Sequence, residues 1–165
     1  MQQRFHALIA GKQAGALFNS PFEGLLQERG FNLLDTAIAV IGRYQGQVLA
    51  TRRGWASEHR SAAIAFIRAL LEALAWLRNP TNRTAAIAIF KRHQPDNVAG
   101  AAETAHVVLF DAQTGFPADG RIDPQALEKV IELRARYGVP KLPLARGVSD
   151  YYEPAYLEQA LFRAD

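Results

Sequence analysis

The sequence contains no cysteine. Disulfide bonds and thiolate metal sites are therefore excluded, whereas a chain without cysteine fits both the cytoplasm and the periplasm. Its four histidines also lack the spacing of metal ligands, apart from Glu103-x-x-His106. That pair is half of a carboxylate-bridged metal motif, and no second copy exists. We therefore expect an exposed helix face at this pair, and no metal and no cofactor.

Several patterns that mark enzymes are missing as well. The chain has no Gly-x-Gly-x-x-Gly and no P-loop, the glycine-rich patterns that hold phosphate groups. It has no Gly-x-Ser-x-Gly, which places the nucleophile in many hydrolases. The sequence therefore gives no support to a nucleotide-binding enzyme or a serine hydrolase.

A strong excess of one charge is absent too. The formal net charge is +3 over 165 residues, which is too small and too scattered for a nucleic-acid-binding surface. Arg52-Arg53 and Lys91-Arg92 are isolated basic pairs, and such pairs are usually solvated faces. We expect no nucleic-acid partner.

Ser61 to Arg78 is the longest apolar stretch, and it predicts one long helix. Arg68 and Glu72 interrupt it, so it is too polar for a membrane span of about 20 apolar residues. A helix that is apolar around most of its circumference is a buried core helix. Ser57 is the expected N-cap, and Asn79-Pro80 the expected end. Other elements should therefore pack on several sides of this helix.

The first third of the chain alternates between short apolar runs and one helix. Ser20-Pro21-Phe22-Glu23 predicts the start of that helix as a capping box, and Gly30 its end. Such alternation predicts a parallel α/β sheet. The candidate strands are only three or four, whereas a sheet usually has about five or six. We therefore expect that the chain is part of a larger protein or that another chain adds strands, so that a homodimer can form through unpaired strands. The candidates are Ala14 to Phe18, Phe31 to Leu34, Ala37 to Ile41 and Gln47 to Thr51.

After Trp55 the pattern predicts helices. Following the central helix, we expect helices from Thr81 to about Arg92 and from about Asp96 to Ala112. Another begins at Asp123-Pro124 and ends at Gly138. The last begins at Glu153-Pro154, with three residues directed inward: Leu157, Ala160 and Leu161.

Taken together, five stretches resemble the C-terminal half of substrate-binding proteins of ABC importers, in the nitrate, sulfonate, taurine and pyrimidine-precursor group. They cover nearly the whole chain and keep the order of the family. They are RFHALIAGKQAGALFNSPFEGLLQERGFNLL (Arg4 to Leu34), RYQGQVLATRRGWASEH (Arg43 to His59), WLRNPTNRTAAIAIF (Trp76 to Phe90), GRIDPQALEKVIELRARYGV (Gly120 to Val139) and VSDYYEPAYLEQAL (Val148 to Leu161).

The resemblance implies a partial periplasmic-binding-protein type II fold, of α/β class, with few strands and a helix-rich C-terminal two-thirds. It implies that residues 1–48 are the latter part of ligand-binding lobe two with the return crossing strand, and residues 49–165 the C-terminal helical part of lobe one. The implied function is capture of a small polar or anionic solute between two lobes, without catalysis, for import through an ABC permease. The implied location is the periplasm, although the first residues lack the apolar stretch of a secretory signal.

Two places are candidate ligand sites. At the corner after residues 14–18, Asn19 can donate an amide hydrogen bond, and the backbone at Ser20 can hold an anionic oxygen near the helix N-terminus. The alternative is that Ser20 is only a helix cap. Tyr44 and Gln45 offer a ring face and an amide to a small polar ring, whereas the alternative is a turn tyrosine that covers the core.

Two other functions remain open. Relatives of this fold include enzymes of thiamin or pyrimidine-precursor synthesis, and such an enzyme would carry a reactive histidine or a metal set. A ligand-free helical module that dimerises is the second alternative, and the oligomeric state would identify it.

Overall fold

The computed structural model describes residues 1–94, 98–111, 115–140 and 147–162. These residues form nine α-helices and two 3-10 turns, at Pro80–Asn82 and Val148–Asp150, and they contain no strand. The helices are α1 (Gln2–Ile9), α2 (Phe22–Gln27), α3 (Ala37–Ile41), α4 (Arg53–Glu58), α5 (Arg60–Arg78), α6 (Arg83–His93), α7 (Ala101–Leu109), α8 (Pro124–Tyr137) and α9 (Ala155–Leu161).

The prediction of an α/β fold of periplasmic-binding-protein type is therefore wrong for the described residues, including its few strands. The run at 37–41 is helix α3, where the Thr36 hydroxyl accepts a 3.2 Å hydrogen bond from the Ala39 N–H. Short apolar runs do not distinguish helix from strand by periodicity. The runs at 14–18, 31–34 and 47–51 are irregular. A strand needs a partner for its backbone N–H and C=O groups, and no described segment supplies one.

The chain divides into two compact units. Unit 1 comprises Met1–Leu34 and Leu74–Pro117, and unit 2 comprises Asp35–Ala73 and Ala118–Asp165. Helix α5 contributes its first part to unit 2 and its last turn to unit 1.

Unit 1 has a core of large side chains. The Phe5 and Phe22 rings lie 5.6 Å apart, and α2 packs on α7. Gly11 ends α1 at φ +68°, where the Gly11 N–H donates to Leu8 O and the Lys12 N–H to Ala7 O. This is the Schellman pattern of a helix that ends at a glycine. The buried core residues are Phe5, Leu8, Phe22, Leu25, Leu26 and Ala101.

Unit 2 is held together by small side chains and polar contacts. Its buried residues in the described part are Ala56, Ala126, Leu157 and Ala160. The Arg68 guanidinium donates to Gln159 O at 3.0 Å and to Ala160 O at 3.3 Å. A cation at the C-terminal end of a helix satisfies its last carbonyls and suits the helix dipole, so Arg68 ties α9 to α5.

Helix α5 confirms the predicted length but contradicts the predicted burial. It runs over Arg60–Arg78, and Asn79-Pro80 ends it as expected. None of its residues is buried, because the described residues cover only one stripe of the helix, which in unit 2 includes Ile64, Ile67 and Leu71. Ser57 is not the N-cap, since it lies inside α4.

The remaining helix predictions hold with smaller differences. Asp123 caps α8 by accepting from the N–H groups of Gln125 and Ala126, and Gly138 ends this helix. α7 is shorter than predicted, and the predicted ends at Asp96 and Ala112 lie outside the described residues. In α9, Leu157 and Ala160 are buried as predicted, whereas Leu161 is exposed.

Candidate functional site

The corner at Asn19 and Ser20 belongs to unit 1 and precedes α2. The Phe22 N–H donates to Asn19 O at 3.1 Å, which closes a tight turn. The Asn19 side chain is exposed, and Ser20 is half-buried. The Ser20 hydroxyl donates directly to a Glu23 carboxylate oxygen, and no side chain caps the backbone of α2. The predicted capping box is therefore wrong in its bonding, although it pairs the correct residues.

Glu23 changes the chemistry expected at this corner. Its Oε1 accepts from Ser20, while Oε2 is buried and has no hydrogen-bond partner among the described residues. This oxygen is closed to solvent, so it offers no acceptor to a solute and shows only that the carboxylate is held inside the corner. A carboxylate also repels an approaching anion. The corner therefore suits a solute that donates hydrogen bonds better than it suits an anion.

Tyr44 and Gln45 belong to unit 2 and lie against the start of α8. The Gln45 backbone N–H donates to Ala126 O at 3.0 Å, and its side-chain amide donates to Gln47 O at 2.9 Å. Arg43 and Asp123 form an exposed ion pair at 3.6 Å. These contacts fix the backbone, while the Tyr44 ring stays exposed and open to a planar solute.

The two candidate places thus lie in different units. Each is a small polar position whose backbone is fixed by its own hydrogen bonds. Within each place, the structure brings neighbouring residues together through backbone bonds. Whether Asn19, Ser20, Tyr44 or Gln45 contacts a solute stays a prediction.

Sequence reasoning missed an aromatic pair at the C-terminal end of α4, where Trp55 lies in the helix and His59 follows it. The Trp55 and His59 rings stack with centroids 5.0 Å apart and an interplanar angle of 4°. The His59 Nδ1 lies 3.2 Å from Trp55 O, and the Trp55 side chain is exposed. The spacing of four residues places both rings on one helix face, which is the signal that could have found the pair.

The motif Glu103-x-x-His106 has partners within unit 1. The Lys91 ammonium donates to the Glu103 carboxylate at 2.6 Å and, with this hydrogen bond as the main cause, lowers the pKa of Glu103 below its usual value. His106 Nε2 lies 3.1 Å from Leu77 O. Both residues are half-buried, so the expectation of an exposed face is wrong.

The described part of the chain lacks two further features. No group of three or more histidine, aspartate or glutamate side chains there is placed to hold a metal ion. None of its helices has the length and apolar character that crossing a membrane requires.

The model of the NMT1-like family matches residues 1–91, which is more than half of the chain. This family consists of substrate-binding proteins of periplasmic-binding-protein type, of the nitrate, sulfonate and taurine kind. The comparisons with curated proteins and with solved structures gave no match. The matched segment contains both candidate places.

Proposed function

The chain belongs to the NMT1-like family, and from this membership we propose that it binds a small polar or anionic solute for an ABC transporter. It would hold the solute by hydrogen bonds, without catalysis, and pass it to a permease from the periplasmic side. The proposal includes the lobe assignment, with residues 1–48 in lobe two and residues 49–165 in lobe one.

The observation that carries the proposal is the corner at Asn19, Ser20 and Glu23 within the matched segment. It combines an exposed amide, a half-buried hydroxyl and the carboxylate that accepts from this hydroxyl. Between the two solute classes, these groups favour a neutral polar solute with N–H or O–H donors. Tyr44 and Gln45 would contribute a ring face and an amide to the same kind of solute.

Amide chemical shifts, recorded by NMR during titration of the chain, test the proposal. The probes are taurine, nitrate, a simple sulfonate and a neutral pyrimidine. We expect weak binding, with shifts concentrated at residues 18–23 and 43–46 and largest for the neutral pyrimidine. If none of the four probes moves these signals, the assignment of the site is wrong.

Matched variants separate binding from general surface effects. Asn19→Ala is compared with Asn32→Ala, another exposed asparagine of unit 1. Tyr44→Ala is compared with Tyr137→Ala, another exposed tyrosine of unit 2. The first member of each pair should weaken binding about fivefold or more, as loss of one hydrogen bond or ring contact does. Equal effects within a pair would remove that residue from the site.

A further inference from the structure

Unit 2 contains a groove between α5 and α9 that lies outside both candidate places. Its volume is about 600 Å³, which falls within the roughly 300–1,000 Å³ of small-molecule sites. All of its lining residues belong to unit 2. They recur at helical spacing, so each helix turns one face toward the groove. They include Ser61, Ile64 and Arg68 of α5, and Glu158, Gln159 and Phe162 on or directly after α9.

Two arginines of α5 hold the walls of this groove together. Arg68 donates from Nε to Ala160 O at 3.3 Å and from Nη2 to Gln159 O at 3.0 Å. About two turns earlier on α5, Arg60 donates to Gln159 Oε1 at 3.2 Å, and its guanidinium lies 4.6 Å from the centre of the Tyr156 ring. Contacts within the chain therefore build the groove, which lowers the cost of ordering it around a ligand.

The groove also carries two opposite charges that the described residues leave available. Arg68 makes its contacts through Nε and Nη2, so the two N–H groups of Nη1 have no partner in the described part of the chain. The Glu158 carboxylate forms no ion pair with any described residue. Arg68 and Glu158 thus line one groove without pairing with each other. Ile64 and Phe162 add apolar surface to the same groove.

We propose that this groove binds a small zwitterion with an apolar side chain, the chemistry of a free amino acid such as leucine. The ligand carboxylate would accept from Nη1 of Arg68 and from the Ser61 hydroxyl. Its ammonium group would pair with the Glu158 carboxylate, and its side chain would cover Ile64 and Phe162. This site is separate from the corner at Asn19 and does not depend on it.

The charges of the groove favour a zwitterion over a ligand with one charge. A cation alone would meet Glu158 but also the positive charge of Arg68, and an anion alone would meet Arg68 but also Glu158. Both side chains are exposed, and exposed ion pairs contribute little. We therefore expect dissociation constants in the millimolar range, with modest differences between ligands.

Three ligands with the same branched side chain test the proposal on the unchanged chain. They are leucine, 4-methylpentanoate, which lacks the ammonium group, and 3-methylbutylamine, which lacks the carboxylate. Amide chemical shifts recorded during NMR titration should move at residues 61–68 and 155–162, whereas those at 18–23 and 43–46 stay in place. Leucine should bind about two- to fivefold more tightly than either analogue. The proposal is wrong if no ligand moves the groove signals, or if either analogue binds as tightly as leucine.

Glu158→Gln identifies the group that receives the ammonium. Its matched control is Glu128→Gln, another exposed glutamate on a helix of unit 2, outside the groove. Glu158→Gln should weaken leucine binding about two- to fivefold, to the level of 4-methylpentanoate, without weakening the binding of 4-methylpentanoate itself. Glu128→Gln should bind all three ligands as the unchanged chain does. Equal effects of the two substitutions on leucine, or equal losses for leucine and 4-methylpentanoate in Glu158→Gln, would refute the assignment.

Discussion

Unit 1 and unit 2 use different means to stay folded. In unit 1, phenylalanine and leucine side chains from α1 and α2 form a continuous buried cluster with Ala101. In unit 2, the buried side chains of the described part are three alanines and Leu157. Several larger apolar side chains of unit 2 stay exposed, among them Ile38, Val40, Leu49 and Phe66.

The difference shows that apolar composition alone does not determine how stable each unit is. Both units are rich in apolar residues, but burial stabilises in proportion to the apolar area removed from water, at about 25 cal/mol per Å². An alanine removes little such area, so unit 2 depends more on single polar contacts such as Arg68 with α9. We therefore expect unit 1 to unfold at a higher denaturant concentration than unit 2.

Phe5→Ala should reduce the difference in stability between the two units more than any other substitution proposed here. Phe5 is 1% exposed and packs on Phe22, so its truncation should lower the free energy of unfolding of unit 1 by about 3–5 kcal/mol. Urea denaturation followed by tryptophan fluorescence measures this loss. Trp76 lies in unit 1 and Trp55 in unit 2, so Trp55→Phe and Trp76→Phe backgrounds report each unit separately.

Phe66→Ala is the control for this substitution. It truncates an exposed phenylalanine of unit 2 and should change stability by about 0.5 kcal/mol or less. Comparable losses for the two variants would mean that the core of unit 1 does not dominate its stability.

The sequence predicted the parts of the fold that depend on local chemistry. Asn79-Pro80 and Asp123-Pro124 mark helix boundaries correctly, because each satisfies or removes a backbone hydrogen bond within a few residues. The same holds for Gly30, whose N–H donates to Gln27 O after α2.

The parts that depend on distant partners could not be predicted. Strand formation and the burial of α5 both require surfaces from elsewhere in the chain, and apolar content says nothing about whether those surfaces are present. The same reason applies to the candidate site. The pairing of Ser20 with Glu23 follows from their spacing, whereas the buried Oε2 and the bond from Gln45 to Ala126 depend on tertiary packing.

Two glycines with nearly the same backbone conformation allow the local packing of the two units to be compared. Gly120 in unit 2 and Gly11 in unit 1 have nearly the same φ, +67° and +68°. A Cβ at Gly120 would lie 3.1 Å from Leu71 Cδ2, whereas a Cβ at Gly11 would meet nothing within 4 Å. Alanine at either position should cost about 1–2 kcal/mol for the left-handed backbone, and Gly120→Ala should cost more because Leu71 must also move.

Thermal unfolding of the two alanine variants measures the difference. The cost of a left-handed backbone is common to both variants. Any additional loss of stability in Gly120→Ala therefore measures the packing of Leu71 on this turn. If Gly120→Ala lost the same stability as Gly11→Ala, or less, the turn at Gly120 would not be packed as tightly as the distances indicate.

The smallest expected effect concerns one lysine–glutamate ion pair in each unit. Lys91 joins α6 to Glu103 on α7 in unit 1, whereas Lys129 bonds to Glu132 within α8 in unit 2. The hydrogen bond from lysine is the main reason why the pKa of each carboxyl is lowered. Each pair therefore stabilises the folded state above the unfolded pKa of about 4.5, and this contribution disappears as the pH falls through the lower folded pKa.

Lys91→Met should raise the pKa of Glu103 toward its usual value without moving that of Glu132, and Lys129→Met should do the opposite. Carboxyl ¹³C NMR titration measures both values. The rise at Glu103 should be incomplete, because a backbone hydrogen bond and Arg83 still lower its pKa. Lys91→Met should also weaken the acid dependence of unit 1 unfolding, since its pair joins two helices, whereas the pair of unit 2 lies within one helix. If Lys129→Met changed unit 1 equally, the two units would not respond to charge independently.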